Sequence, residues 1–149
     1  MVELNFKDGL ISVVAQDSKT GEVLMIAFMN RDAFELTRKT GCVHYWSRKN
    51  RRVWKKGEVS GHFQWVKEIL VDCDSDALVI KVDQVKAACH TGFRSCFFRT
   101  IDGTTIGKKV FDPEEVYKDR GVRRSESLGN RRGKNSRTTG RRKRMRQTS

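Results

Sequence analysis

The apolar residues run out well before the chain does. Beyond Gly121, Gly, Ser, Thr, Asn, Arg and Lys dominate, and such a segment buries too little apolar surface to offset the ordering of its backbone. Any core is therefore confined to residues 1–117 of 149, and 118–149 is expected to be a disordered basic tail. Charge divides at the same place. Residues 118–149 hold 13 of the 31 Lys and Arg but only Asp119 and Glu126 of the 18 acids, a local +11 of the total +13, while the body sets 18 bases against 16 acids. A strongly basic chain ordinarily points to nucleic acid. Here that inference reaches only the tail, which suits non-specific contact with phosphate backbones that salt would weaken steeply. A zinc-stabilised RNA-binding protein is the alternative reading that the tail supports.

Within the body, short β-branched runs alternate with turn signals. Ile11–Gln16 and Glu22–Met29 flank Asp17-Ser18-Lys19-Thr20-Gly21 and read as a hairpin with a longer loop. Asn30 caps an expected helix over Arg31–Thr40, with Ala33, Phe34 and Leu36 offered to the core and Gly41 as its stop. Strands are expected at Val43–Ser47 and from Val53-Trp54, then from Phe63 to Asp72 and Ala77 to Val82. Cys96–Ile101 and the stretch from Asp102-Gly103 to Phe111 read as a further pair of strands. Asp112-Pro113-Glu114-Glu115 opens a helix expected to end near Gly121. The pattern predicts a mainly β (α+β) fold, an antiparallel sheet or pseudo-barrel capped by one helix.

Residues 1–30 lack a basic segment followed by an apolar run and a cleavage site, and no stretch approaches the ~18 apolar residues of a membrane span. The expected location is the cytoplasm, where the four cysteines stay reduced. Reduced thiols among acids and a histidine suggest metal or catalysis. Cys73, Cys89 and Cys96 do not have the paired C-x2-C spacing of a zinc ribbon, and three thiolates leave tetrahedral zinc one ligand short. An open position of that kind suits the activation of water. Cys42 could close the site instead, and each cysteine taken singly could be a small buried hydrophobe.

Asp72, Asp74 and Asp76 alternate through Asp72-Cys73-Asp74-Ser75-Asp76. In an extended chain their carboxylates would share one face and Cys73 the other, and such like charges repel unless a cation sits among them. Oxygen donors suit a hard ion such as Mg2+; a solvated acidic turn is the plainer reading. Ala77 and Asp83, where a calcium loop needs Gly and Glu, exclude an EF-hand. His90, next to Cys89, is the general acid/base candidate. The loops from Trp46 to Gln64 bring Ser47, Arg48, Lys56, Ser60 and His62, a composition suited to phosphate groups.

These segments resemble the phosphoribosyl-AMP cyclohydrolase family of histidine biosynthesis. The resemblance runs through Val23–Asn30, His44-Tyr45-Trp46-Ser47-Arg48, Trp54–His62, Asp72–Asp76 and Cys89-His90-Thr91-Gly92-Phe93-Arg94-Ser95-Cys96-Phe97, and covers about residues 6–110. It implies zinc on Cys73, Cys89 and Cys96 and magnesium on Asp72, Asp74 and Asp76. It further implies an intertwined homodimer whose zinc sites are each built from both chains. The implied substrate is 1-(5-phosphoribosyl)-AMP, opened between N1 and C6 of its purine to the phosphoribosyl-formimino-AICAR nucleotide. His90 would shuttle the proton, Arg48, Lys56 and Arg94 would meet phosphates, and Trp46 would stack on a ring. One departure is expected to reshape the loop entering Cys89: Lys86 stands where the family usually has glycine. The tail is too short and polar for the pyrophosphohydrolase domain fused to some members, so the preceding step is expected from another protein.

Overall fold

The computed structural model describes residues 1–118, and the expected disorder of the basic tail lies outside them; the helix opened by Asp112-Pro113 stops at Val116, where Tyr117 leaves the helical conformation and caps it with its N–H on Pro113 O, short of the expected Gly121. Six strands and two helices run in the order β1 (Ile11–Asp17), β2 (Val23–Met29), α1 (Arg31–Thr40), β3 (His44–Ser47), β4 (Arg52–Lys55), β5 (Gln64–Val71), β6 (Ala77–Gln84) and α2 (Pro113–Val116). Four strands form one sheet in the order β2-β1-β6-β5, and β3 and β4 form a separate ribbon. The mainly β class with a capping helix is what the sequence predicts. Two details differ: the large sheet is open, and it is not wholly antiparallel. β1 and β6 run parallel, from Ser12 opposite Ala77 to Asp17 opposite Val82. The intervening chain crosses over through β2, α1, the ribbon and β5, and a parallel pair requires a long connection of that kind.

That parallel pair gives the sheet two distinct ends. One carries Ile11, Met29 and the β5–β6 turn; the other carries Asp17, Val23 and Gln84. β1 and β6 alternate buried and less buried residues, so one face meets the core of Val13, Ala15, Leu78, Ile80 and Val82 together with Leu24, Met29, Phe34 and Tyr45. Helix α1 follows its caps: the Asn30 side chain accepts from Ala33 N at 2.9 Å, and Gly41, at φ 71°, returns its N–H to Thr37 O. It buries Ala33, Phe34 and Thr37, whereas Leu36 is 38% exposed. At 3.6 residues per turn Leu36 points roughly 100° away from the centre of the buried face. Thr37 is the buried residue in its stead, satisfied by bonds to Ala33 O and from His44 N.

The strands expected at Cys96–Ile101 and up to Phe111 do not form. The Asp102-Gly103 turn does, with Gly103 N donating to Thr100 O, but its arms are joined by isolated bridges, Arg99 with Thr105 and Phe93 with Lys109, and by scattered bonds such as Ile106 N to Phe98 O at 2.8 Å, without a continuous ladder. The physical reason is exposure: Phe97, Ile101, Ile106 and Val110 are 52%, 107%, 68% and 47% accessible. A hairpin without a covered face has nothing to stabilise it.

Candidate active site

At one end of the sheet, Asp72–Ala77 is a tight turn rather than extended chain. Asp72 Oδ1 accepts from Asp76 N at 3.0 Å and Ala77 N at 3.1 Å, and Ser75 takes a left-handed φ of 63°. Folding the turn back, not strand alternation, gathers the three carboxylates, and their oxygens lie within 4.8 Å of one another. Among the described residues this is the one such group of three or more metal-ligating side chains. The Asp76 and Asp72 charges push Asp74 above its ordinary value. Lys7 holds Asp76 below its own through a direct ion pair. An all-oxygen donor set with an ammonium already resting on it fits a hard cation.

The opposite end carries the thiol pair. The loop from Lys86 to Cys96 folds on itself through Ala88 N to Arg94 O at 2.8 Å, Cys89 N to Phe93 O at 3.3 Å and Gly92 N to Cys89 O at 3.4 Å. It is tied to β2 by Cys96 N to Leu24 O at 2.8 Å and Ser95 Oγ to Val23 O at 2.7 Å. Gly92 is required: φ is 102°, and an added Cβ would come within 2.7 Å of Phe111 O. Cys89 is buried, with Sγ 2.9 Å from Thr91 Oγ1. Cys96 is exposed as a residue, yet its thiol faces Cys89, and desolvation followed by the Cys89 charge pushes it up to about 11. Lys56 sits beside both thiols and donates from Nζ to Ala88 O at 2.5 Å. Burial lowers its pKa, and the two cysteines oppose that shift. His90 lies exposed next to Cys89.

Cys73 is not with them. It is exposed in the acid turn, beyond the Ala77 end of β6, whereas Cys96 hangs from the Leu24 end of β2. Strand rise and spacing put the two on the order of 15–20 Å apart within one chain. The structure thus brings together Cys89, Cys96, His90 and Lys56, and separately Asp72, Asp74, Asp76 and Cys73.

The other sequence-predicted residues divide between the ends. Trp46 and Arg48 line a cavity of about 350 Å3 with Asp8, Asn30 and Arg51, near the end of β2 that faces the acid turn. The Arg48 guanidinium lies 4.2 Å from the centroid of the Phe28 ring. Ser47 Oγ accepts from Asn50 N and Ser60 Oγ from His62 N, both at 3.1 Å, so both hydroxyls hold turns. His62 is buried edge-on to Phe111 and held below its ordinary value by burial, Lys86 and Lys56. Arg94 is committed inside the protein: it pairs with Asp17, lies 3.7 Å from Glu22 and donates to Lys86 O at 3.0 Å. Burial raises the Asp17 carboxyl, but the Thr20 and Lys19 N–H groups and Arg94 outweigh it and bring the pKa below the usual value. Lys86, at the entry to the Cys89 loop, takes a left-handed φ of 49°. Lys7 and Asp17 escaped sequence reasoning because their partners lie 69 and 77 residues away, at Asp76 and Arg94.

No described helix is long and apolar enough to cross a membrane. A family model described as phosphoribosyl-AMP cyclohydrolase matches residues 25–98, a span containing Cys73, Cys89, Cys96, the three aspartates and His90. A protein named phosphoribosyl-AMP cyclohydrolase from Methanocella arvoryzae is 58% identical over 119 residues, covering 80% of this chain and 100% of that protein. Proteins of the same name from Methanococcoides burtonii and Methanoregula boonei are 60% and 59% identical over 110 and 118 residues, covering 74% and 78% of this chain and 91% and 96% of theirs.

Proposed function

This chain belongs to the phosphoribosyl-AMP cyclohydrolase family, and we propose that it hydrolyses the N1–C6 bond of the purine in 1-(5-phosphoribosyl)-AMP, a step of L-histidine biosynthesis carried out in the cytoplasm. The observation that carries the reading is the thiol end of the sheet. Two cysteines face each other beside an exposed histidine and a half-buried ammonium, all within the family match. The donor chemistry fits zinc on Cys89 and Cys96 with Cys73 of a second copy as third ligand, and magnesium on Asp72, Asp74 and Asp76. Zinc, when bound, supplies the lowered water pKa that hydration at C6 needs.

The chain's own groups do the rest. His90 takes the proton from the attacking water and delivers it to N1 as the C6 bond breaks. Lys56 offsets the negative charge of the thiolates from its half-buried position beside them. Arg48 meets a phosphate, Trp46 stacks on a ring, and Ser47, Ser60 and His62 hold the loops that carry these contacts. Arg94 serves as a positioning residue: through Asp17 it fixes the loop of Cys89 and Cys96 instead of meeting phosphate.

The active form is a homodimer, since one chain separates Cys73 from its partners. The exposed Phe97, Ile101, Ile106 and Val110 form an apolar arm that a second copy would cover. Residues 118–149 are an accessory tail that contacts polyanions without taking part in turnover. An absorbance assay of ring opening, with and without a zinc chelator, tests the reading. Turnover lost on chelation and restored by zinc is expected; metal-replete protein that leaves phosphoribosyl-AMP intact would sink it.

A further inference from the structure

One hydroxyl at the thiol end bonds differently from its fellows. The Thr20, Thr37, Thr40 and Thr100 hydroxyls each bond to a main-chain group, the usual outlet for a threonine beside its own backbone. Thr91 Oγ1 bonds instead to Cys89 Sγ at 2.9 Å, and to no main-chain group among the described residues. The approach is built into the loop. Cys89, His90, Thr91 and Gly92 form a turn closed by Gly92 N to Cys89 O at 3.4 Å. Gly92 fixes its last corner at φ 102°, where Phe111 O leaves no room for a Cβ, and its carbonyl accepts from Val110 N at 2.8 Å. With the turn tied at both ends, the half-buried Thr91 side chain is held on the buried sulfur while His90 stays exposed.

We propose that Thr91 is a positioning residue of the zinc centre, its hydroxyl donating to the Cys89 thiolate so that the sulfur is held in one orientation and gives up part of its charge. The inference rests on the proposed zinc set and adds to it a residue that is not a ligand. In a protonated pair either atom can donate, but a metal-bound sulfur carries no proton, so the hydroxyl must be the donor. Three thiolates push much electron density onto one metal. A hydrogen bond to one of them draws some of it back and leaves the metal the stronger Lewis acid. Lys56 lies beside both thiols and acts on them through charge, whereas Thr91 acts through a bond to a single atom. The threonine thereby orders Cys89 before metal arrives, which is what a pre-organised site requires.

Zn2+ partitioned between the full chain and a chromophoric chelator tests this without any turnover. Thr91→Val keeps the shape and the β-branch but lacks the hydroxyl, and should weaken zinc by about 10–100-fold, the usual cost of losing a partner outside the ligand set. Thr91→Ser restores the donor and should stay within about threefold of wild type. With Co2+ in place of zinc, the sulfur-to-metal charge-transfer bands should move to longer wavelength in Thr91→Val and return in Thr91→Ser, because a thiolate without its donor yields an electron more readily. Equal zinc affinity in Thr91→Val and wild type, or equal loss in Thr91→Ser, overturns the assignment. Unmoved cobalt bands, with a lower melting temperature of metal-free Thr91→Val, would make Thr91 a packing residue and overturn it too. If Thr91→Val loses its native far-UV circular dichroism, Thr91→Ala carries the comparison. Cys89→Ser separates the two readings. If it holds zinc as tightly as wild type, the proposed zinc set fails and Thr91 with it; if it loses zinc while Thr91→Val does not, the role of Thr91 falls alone.

Discussion

The two ends of the sheet are built on opposite principles. At the acid-turn end, charge is exposed: Asp72 and Asp74 are open to solvent, and the neighbouring cavity holds arginines without acid partners. At the thiol end, the chemistry is tucked in, with Cys89 buried, Lys56 lodged beside it and Gly92 packed too closely for any side chain. An exposed site can bind polyanionic substrate and hard cations from water at little desolvation cost, whereas a buried thiol pair is suited to holding a soft metal in fixed geometry. On the proposed zinc set, Cys73 lies at the opposite end from Cys89 and Cys96, and that separation is the strongest physical reason to join two chains.

The largest expected effect attacks that separation directly. Cys73→Ser and Cys89→Ser should each abolish turnover as pure proteins. Co-refolded in equal amounts, they should regain about a quarter of wild-type activity, because half of the randomly formed twofold dimers contain one intact shared site of two. No recovery, in mixtures of differently tagged chains shown by tandem affinity purification to contain heterodimer, would mean that the two ends do not meet across chains. Next comes His90→Ala. An exposed acid/base residue contributes about 10²–10⁴-fold, so kcat should fall by that factor with zinc content unchanged; near-normal turnover would leave the thiol end with metal but without its proton carrier.

How far the sequence reached can be judged at the same two ends. Asn30 and Gly41 are chemical stop signs, and α1 begins and ends where they require. The Asp72–Asp76 cluster was also legible, because a turn gathers residues that are already neighbours, although it was a tight turn and not strand alternation that brought them together. What local pattern could not supply was pairing over distance. The parallel register of β1 with β6 decides that Cys73 and Cys96 lie apart, and nothing in either strand announces its partner. The segment around Asp102-Gly103 failed for a related reason: its apolar residues mimic strands, but one chain gives them no layer to cover.

A smaller effect tests how the thiol end is held. Asp17 is 5% exposed and carries Arg94 together with two backbone N–H groups. Asp17→Asn should cost about 2 kcal/mol, the scale of hydrogen bonds to a charged group, and should weaken zinc retention against a chelator. The pH dependence has a definite sign. Since folding lowers the Asp17 pKa, its contribution is full above the unfolded value of about 3.9 and is lost as pH falls through the folded value. Asp17→Asn should therefore flatten the acid limb of the stability curve. An unchanged limb would remove Arg94 from its positioning role.

The smallest effect asks whether the two ends communicate. Lys86 occupies a left-handed turn at φ 49°, where an L-residue is strained by about 1–2 kcal/mol and glycine is not, though glycine forfeits about 0.5–1 kcal/mol in chain entropy. Lys86→Gly should therefore stabilise the protein by roughly 0–1.5 kcal/mol, at most several degrees in melting temperature for a body of this size. It also removes a cation that, after burial, helps to depress His62, so His62 should titrate higher in an NMR series. The Arg94 bond to the Lys86 carbonyl is a main-chain contact and should survive. If the ends are independent, the indole N–H resonance of Trp46 at the opposite end will not move in an NMR spectrum. A change at Trp46 from a substitution at the thiol end would show that the ends are coupled, through the strands or across the joined chains, and the contrast between an exposed end and a buried one would have to give way to a single coupled site.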